Sequence, residues 1–405
     1  MRTTFFSILM CITFSLTAQN TTIQWRNDRS GIYNETGLLK SWAENGPEML
    51  WHFDDLGEGH SSVAIDNNKI YVTGLIEEIG YLFVFDLNGK LLNKKAYGKE
   101  WDSSYNGSRG TPTINNGNIY LYTGFGELIC WDKNTLDERW RRNVIEDFGG
   151  QNIRWGVTES PLVIGNKVII SVGGETHNIV ALNKNDGSLV WSSEGKGDVS
   201  AYCSPLFIEN QEVPQIVTTM ASYIVGIELE TGKLLWSHPY KSQRGINPNT
   251  PVYDGKDMVL ITNGYERGSV MLRLINGGRS VEKVWENDDV KSKHGGVVKI
   301  GNYIYAGGDD RSGRYWHCAD WNTGEIKYKD SSITVGVVIA DGDNMLYCYS
   351  EKGEMALVKA TPEKFDIASQ FSITLGTDQH WAHPVIYQGV LYVRHGDTLM
   401  AYKVK

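Results

Sequence analysis

One unit of sequence recurs eight times along this chain, and a period of about 40 to 50 residues repeated that often leaves few folds open. The stretches "HSSVAIDNNKIYV" (from His60), "RGTPTINNGNIYL" (Arg109), "TESPLVIGNKVII" (Thr158) and "YCSPLFIENQEVPQIVT" (Tyr202) share one layout of short strand, polar turn and short strand. The later copies are "NTPVYDGKDMVLI" (Asn249), "HGGVVKIGNYIYA" (His294), "TVGVVIADGDNMLYC" (Thr334) and "WAHPVIYQGVLYV" (Trp381). Gly, Asn and Asp supply the positive φ of tight hairpins, and the flanking Val, Ile and Tyr suit a pleated, half-buried surface.

Each unit runs on into a second hairpin, clearest in "IVALNKNDGSLVWSS" (from Ile179) and "IVGIELETGKLLWSH" (from Ile224), where Gly precedes Trp by four residues. The same offset joins Gly324 to Tyr328, and Leu136 stands in the Gly place before Trp140. Four short antiparallel strands per period predict an all-β fold, an eight-bladed β-propeller in which Trp140, Trp191, Trp236 and Trp285 pack between blades. The final unit stops at "TLMAYKVK" without an outer strand, while "PEMLWHFDD", with Trp51, is an outer strand without a blade. The ring is therefore expected to close by the N-terminal strand joining the last blade, which removes an open edge.

Residues 1–18, with Arg2 followed by an apolar run from Phe5 to Leu16, are expected to be a signal peptide, 19–46 a lead-in, and 47–405 a single propeller. That run is short for a membrane span, so a periplasmic or secreted protein without a membrane span, and a monomer, is expected. With 41% hydrophobic and 21% charged residues the chain can bury a large core. Its net charge of −9 is spread without a basic stripe, which argues against nucleic acid as a partner. Cys130, Cys203, Cys318 and Cys348 form no adjacent pair and no Cys-x-x-Cys, which argues against zinc ribbons and c-type haem.

The endings "DGSLVW" and "ETGKLLW" resemble the pyrroloquinoline-quinone repeat, and "WRNDRSGIYNETGLLKSW" (Trp25 to Trp42) resembles the opening of secreted bacterial propellers of the quinoprotein alcohol dehydrogenase-like family. The resemblance covers Trp25 to Lys405 and implies an eight-bladed propeller similar to quinoprotein dehydrogenases and to outer-membrane assembly lipoproteins. For the former it implies pyrroloquinoline quinone (PQQ) with Ca²⁺ and a pair of adjacent cysteines, and that pair is absent here. No cofactor and no metal is therefore assigned, since a fold shared by many activities does not fix one.

In a propeller the residues leading into each innermost strand converge on one mouth of the central channel. Three residues before the Pro of "TP" or "SP", or at its equivalent, stand His60, Arg109, Thr158, Tyr202, Pro248, His294, Thr334 and Trp381, with Trp155, Glu159, Asn247, Asn249, His380 and His383 close by. A bare scaffold needs only small residues there. The expectation is a funnel that binds a small molecule or glycan through Trp155, Glu159, Asn247, Asn249, His380, Trp381 and His383. If the funnel is catalytic, Arg109 is the electrophile, His60 or His294 the base and Tyr202 the base or acid of a lyase acting on uronic-acid polymers. A PQQ-dependent dehydrogenase and a non-catalytic envelope assembly scaffold are the other readings left open by the sequence.

Overall fold

The computed structural model describes residues 22–310 and 313–405, so the expected signal peptide lies outside the described residues. Within them the chain forms eight sheets of the expected meander, from Ala64–Lys99 as the first blade to Val385–Lys403 as the eighth. The eighth blade has three strands of its own, and Met49–Phe53 pairs antiparallel with Thr398–Lys403 as its outer strand. Closure thus brings Met49–Phe53 into the last blade's sheet, supplying the outer strand that the last repeat lacks. No described helix is long and apolar enough to cross a membrane.

The Gly-to-Trp offset has a structural cause that reaches across blades. The indole of Trp191 in the third blade lies on Gly232 of the fourth, where an added Cβ would sit 2.6 Å from the ring, and its N–H donates to Leu229 O at 2.9 Å. Trp140 on Gly187, Trp285 on Gly324 and Trp51 on Gly89 repeat this contact, with N–H bonds of 2.9 to 3.0 Å to Lys184, Trp321 and Leu87 carbonyls. These glycines have φ of 71 to 81°, so each position needs both left-handed backbone and the absence of a side chain. Trp236 departs from the pattern: its N–H is taken by Gln215 at 2.7 Å and its ring lies over Gly226, both in its own blade. Leu136 keeps the left-handed geometry, at φ 60°, without being glycine.

The lead-in is more than an appendage. Thr22 bridges to Ile65 in the first blade and Ile23 O accepts Ile114 N–H in the second, while Ile32–Tyr33 pairs in parallel with the innermost strand of the seventh. Between these points a tight turn, with Arg26, Asn27 and Arg29 all at positive φ (55, 61 and 76°), sits in the central channel. The propeller axis is plugged by its own N-terminal segment.

Candidate functional site

Above the plug the channel widens into a cavity of about 430 Å³, within the ~300–1,000 Å³ range of small-molecule sites. Seven of the eight equivalent repeat positions reach its wall: His60, Arg109, Thr158, Tyr202, Pro248, His294 and Trp381. The eighth, Thr334, does not. Trp155 and His383 also line it.

Trp381 is the centre of an aromatic cluster. His60, His294 and Tyr105 approach its ring at centroid distances of 5.3, 5.0 and 5.1 Å, all tilted or edge-on. Trp155 and Tyr202 form a second tilted pair at 6.1 Å, and Tyr202 holds φ 72°. Both ring nitrogens of His60 are buried without a protein partner, and burial, with Arg109 nearby, pulls its pKa down to about 3. The ring is therefore neutral at physiological pH, offering one N–H and one lone pair to whatever enters. His294 is likewise pushed down by burial, against the pull of Glu351, whose carboxylate lies 3.6 Å away.

Arg109 donates through one terminal nitrogen to the carbonyls of Ser104 and Tyr105, and its guanidinium lies over Trp101 at 5.5 Å. Its Nε is buried and unpartnered, and burial lowers its pKa to about 10. Arg244, Lys293 and Arg314 add three more cations to the wall, with Glu351 as its one carboxylate. Lys293 pairs with Asp309 at 2.6 Å and Arg314 with Glu351, while Arg109 and Arg244 have no acidic partner among the described residues.

The floor is built by the plug. Trp25 lines the cavity and meets His383 edge-on at 5.2 Å. Arg26, 2% exposed, donates to Val338 O (3.0 Å), Val297 O (2.9 Å), Ser30 O (3.2 Å) and His383 Nδ1 (2.8 Å), tying together the sixth, seventh and eighth blades. His383 Nε2 lies 3.0 Å from His294 O, so Nε2 carries the proton and Nδ1 accepts from Arg26. Gly296 clears the way, since a Cβ there would sit 2.2 Å from the Arg26 guanidinium. On the other side Arg29 donates to Ser160 O and Pro161 O at 3.1 and 2.8 Å.

Four expected ligand-binding residues are placed off the wall. Asn249 spends its amide on Ser292 and Lys293 carbonyls, and Asn247 donates to Met220 O. Glu159, 3% exposed, accepts the Ser171 N–H, and burial raises its pKa to about 8 despite that bond and Arg29. His380 stacks on His395 at 3.6 Å and meets the Tyr349 hydroxyl at 2.6 Å. Each tethers a backbone or a neighbouring ring. Conversely, Trp25, Tyr105, Arg244, Tyr265, Arg314 and Glu351 line the cavity from outside the repeat position that predicted the rest.

The family model for outer membrane protein assembly factor BamB matches residues 35–330. A curated relative, outer membrane protein assembly factor BamB of Shewanella oneidensis, is 26% identical over 191 residues, 44% of this chain and 44% of the relative. The aligned part thus spans less than half the length of that relative. Among solved structures, BamB from Moraxella catarrhalis superposes with a TM-score of 0.64 at 13% identity, covering 88% of this chain and 99% of the other. A europium-containing methanol dehydrogenase gives 0.68 at 12% identity, covering 93% and 90%. The quinohemoprotein alcohol dehydrogenase from Comamonas testosteroni gives 0.67 at 12%, covering 95% and 80%. Likenesses at these identities show the fold.

The wall does not suit the quinone and Ca²⁺ that the dehydrogenase resemblance implies. A calcium site takes about six to eight oxygen ligands, and the one carboxylate here is already held by Arg314. The acid-rich turns are also engaged: Asp341 caps the N–H groups of Asp343 and Met345, and Asp309 pairs with Lys293. Cys130, Cys203, Cys318 and Cys348 are buried and unlinked, and none lines the cavity.

Proposed function

Since this chain belongs to the outer membrane protein assembly factor BamB family, with the model matched over residues 35–330, we propose that it is an exported envelope propeller that has turned its plugged channel into a binding site for a small molecule or glycan. The observation that carries the reading is His60. Two imidazole nitrogens without a protein partner beside a cavity of about 430 Å³ give a polar ligand one donor and one acceptor to meet. A channel that only needed hydration would place small residues there.

The test is a thermal-shift and native mass-spectrometry screen of the purified chain against soluble sugars, sugar acids, nucleotides and quinones. A ligand-dependent rise in melting temperature that Trp381→Ala abolishes supports the funnel as the site. A screen in which nothing binds overturns it. Incubation with uronic-acid polymers, read by the ultraviolet absorbance of the unsaturated uronate left when the C5 proton and the O4-linked sugar are eliminated, decides whether His60, Arg109, Tyr202 and His294 act as a lyase.

Family membership favours a second reading, a scaffold in envelope assembly. Exposed Met49 and Leu50 on the outer strand of the eighth blade, and Leu91 and Leu92 on that of the first, are apolar side chains suited to a protein partner. Association with an outer-membrane assembly protein that survives joint Ala substitution of His60, Arg109 and Tyr202, and fails on Leu50→Glu, would favour it.

A further inference from the structure

The charges on the cavity wall narrow the ligand's chemistry, and the argument rests on the funnel being a ligand site. The chain carries a net charge of −9, yet among the described residues the wall gathers four cations against one carboxylate. Lys293 and Arg314 are paired with Asp309 and Glu351, while Arg109, with the buried Glu100 nearby, and Arg244 make no direct ion pair among the described residues. An overall negative protein that keeps two unpaired arginines at a concave mouth attracts anions there and repels them elsewhere.

Arg109 is built to hold one. Two carbonyls on a single terminal nitrogen and the Trp101 ring beneath fix its plane, while the buried Nε keeps an unused donor. A guanidinium so fixed loses little entropy on meeting an oxyanion at the terminal nitrogen that no carbonyl holds. His60 adds a neutral ring with one donor and one acceptor, which matches a hydroxyl that both donates and accepts. The surrounding rings are set at 45 to 62° to their neighbours, so these pairs form no parallel slot for a flat cofactor.

We infer that the funnel binds a sugar unit bearing an anionic substituent, a carboxylate or a sulfate, with the anion on Arg109, a ring hydroxyl on His60 and an apolar sugar face on Trp381. Arg244, exposed at the rim, draws the anion in; Arg109 fixes it.

Isothermal titration calorimetry of the full chain tests this with glucuronate- and galacturonate-containing oligosaccharides, galactose 6-sulfate oligosaccharides, and neutral counterparts of equal length. Anionic sugars are expected to bind at least about tenfold more tightly than neutral ones, with the difference shrinking as salt rises. Carboxylate and sulfate arms separate the two sources of charge. Arg109→Gln is expected to erase the preference, and Arg244→Gln, at the exposed rim, to weaken anion binding several-fold. Equal affinity for neutral and anionic sugars, or an unaltered preference in both variants, overturns the inference while the funnel remains a ligand site. Binding of non-sugar ligands only overturns it too, and no binding of any compound in the wider screen removes both.

Discussion

Replacing Arg26 with Met keeps most of the side-chain volume and removes four hydrogen bonds at the point where the plug meets three blades. Bonds from a charged donor are each worth ~1.5–3 kcal/mol, so the gross loss is ~6–12 kcal/mol. Against this stands the relief of a buried charge. Burial lowers the Arg26 pKa from 12.5 to about 10, and at 1.36 kcal/mol per unit that is ~3 kcal/mol returned when the charge goes. The partners left behind are neutral, three carbonyls and the His383 ring, so the residual cost lies at the low end of the difference, ~3–5 kcal/mol. Equilibrium guanidinium unfolding followed by Trp fluorescence reads this as a lower midpoint at unchanged slope. Arg154→Met, which removes an exposed arginine from over Trp155, should stay within ~0.5 kcal/mol. A loss below ~1 kcal/mol for Arg26→Met would refute the claim that the plug is held by its arginine.

Gly232→Ala should cost ~2–4 kcal/mol by the same assay, combining a left-handed backbone at φ 75° with a Cβ 2.6 Å from the Trp191 ring; stability equal to wild type would mean the Gly–Trp contact is incidental. Glu159 is an acid whose folded pKa, about 8, exceeds its unfolded value of 4.5, so its contribution is complete below 4.5 and is lost as pH rises to about 8. Glu159→Gln, which mimics the protonated form, should therefore gain on wild type by up to ~1.4 kcal/mol per pH unit across that window and run parallel above it; parallel curves throughout would show Glu159 ionised in the fold. With a pKa near 3, His60 does not titrate between about pH 5 and 8, so sugar-acid binding measured by calorimetry should show no His60-dependent step there, and a step that His60→Gln removes would contradict its burial.

The repeat made both the ring and seven wall positions legible, because a propeller converts one register position into one place in space. His60, Arg109, Tyr202, His294 and Trp381 are brought together by symmetry, and pairwise spacing in the sequence says nothing about them. The same logic overreached by one residue at Glu159, Asn247 and Asn249. Consecutive residues entering a strand point to opposite sides, so the neighbours of wall residues turn into the gaps between blades and bond to backbone there. Tyr105, Arg244, Tyr265 and Arg314 come from connections of irregular length or from strand ends away from that position, where no period applies.

The plug was the least legible element, and the reason is physical. "WRNDRSG" is polar and rich in turn formers, a composition that predicts a solvated surface turn, and arginine is among the residues least often buried. Only the carbonyls left unpaired along the inner edges of the blades make two buried arginines favourable, and those carbonyls converge on one channel only once the ring is closed. Arg26 and Arg29 are thus specified by tertiary structure and not by local pattern. The plug therefore depends on the ring, while the ligand cavity, whose floor is Trp25 and the Arg26-held His383, depends on the plug. Loosening Arg26 should then weaken ligand binding even where the blades stay folded.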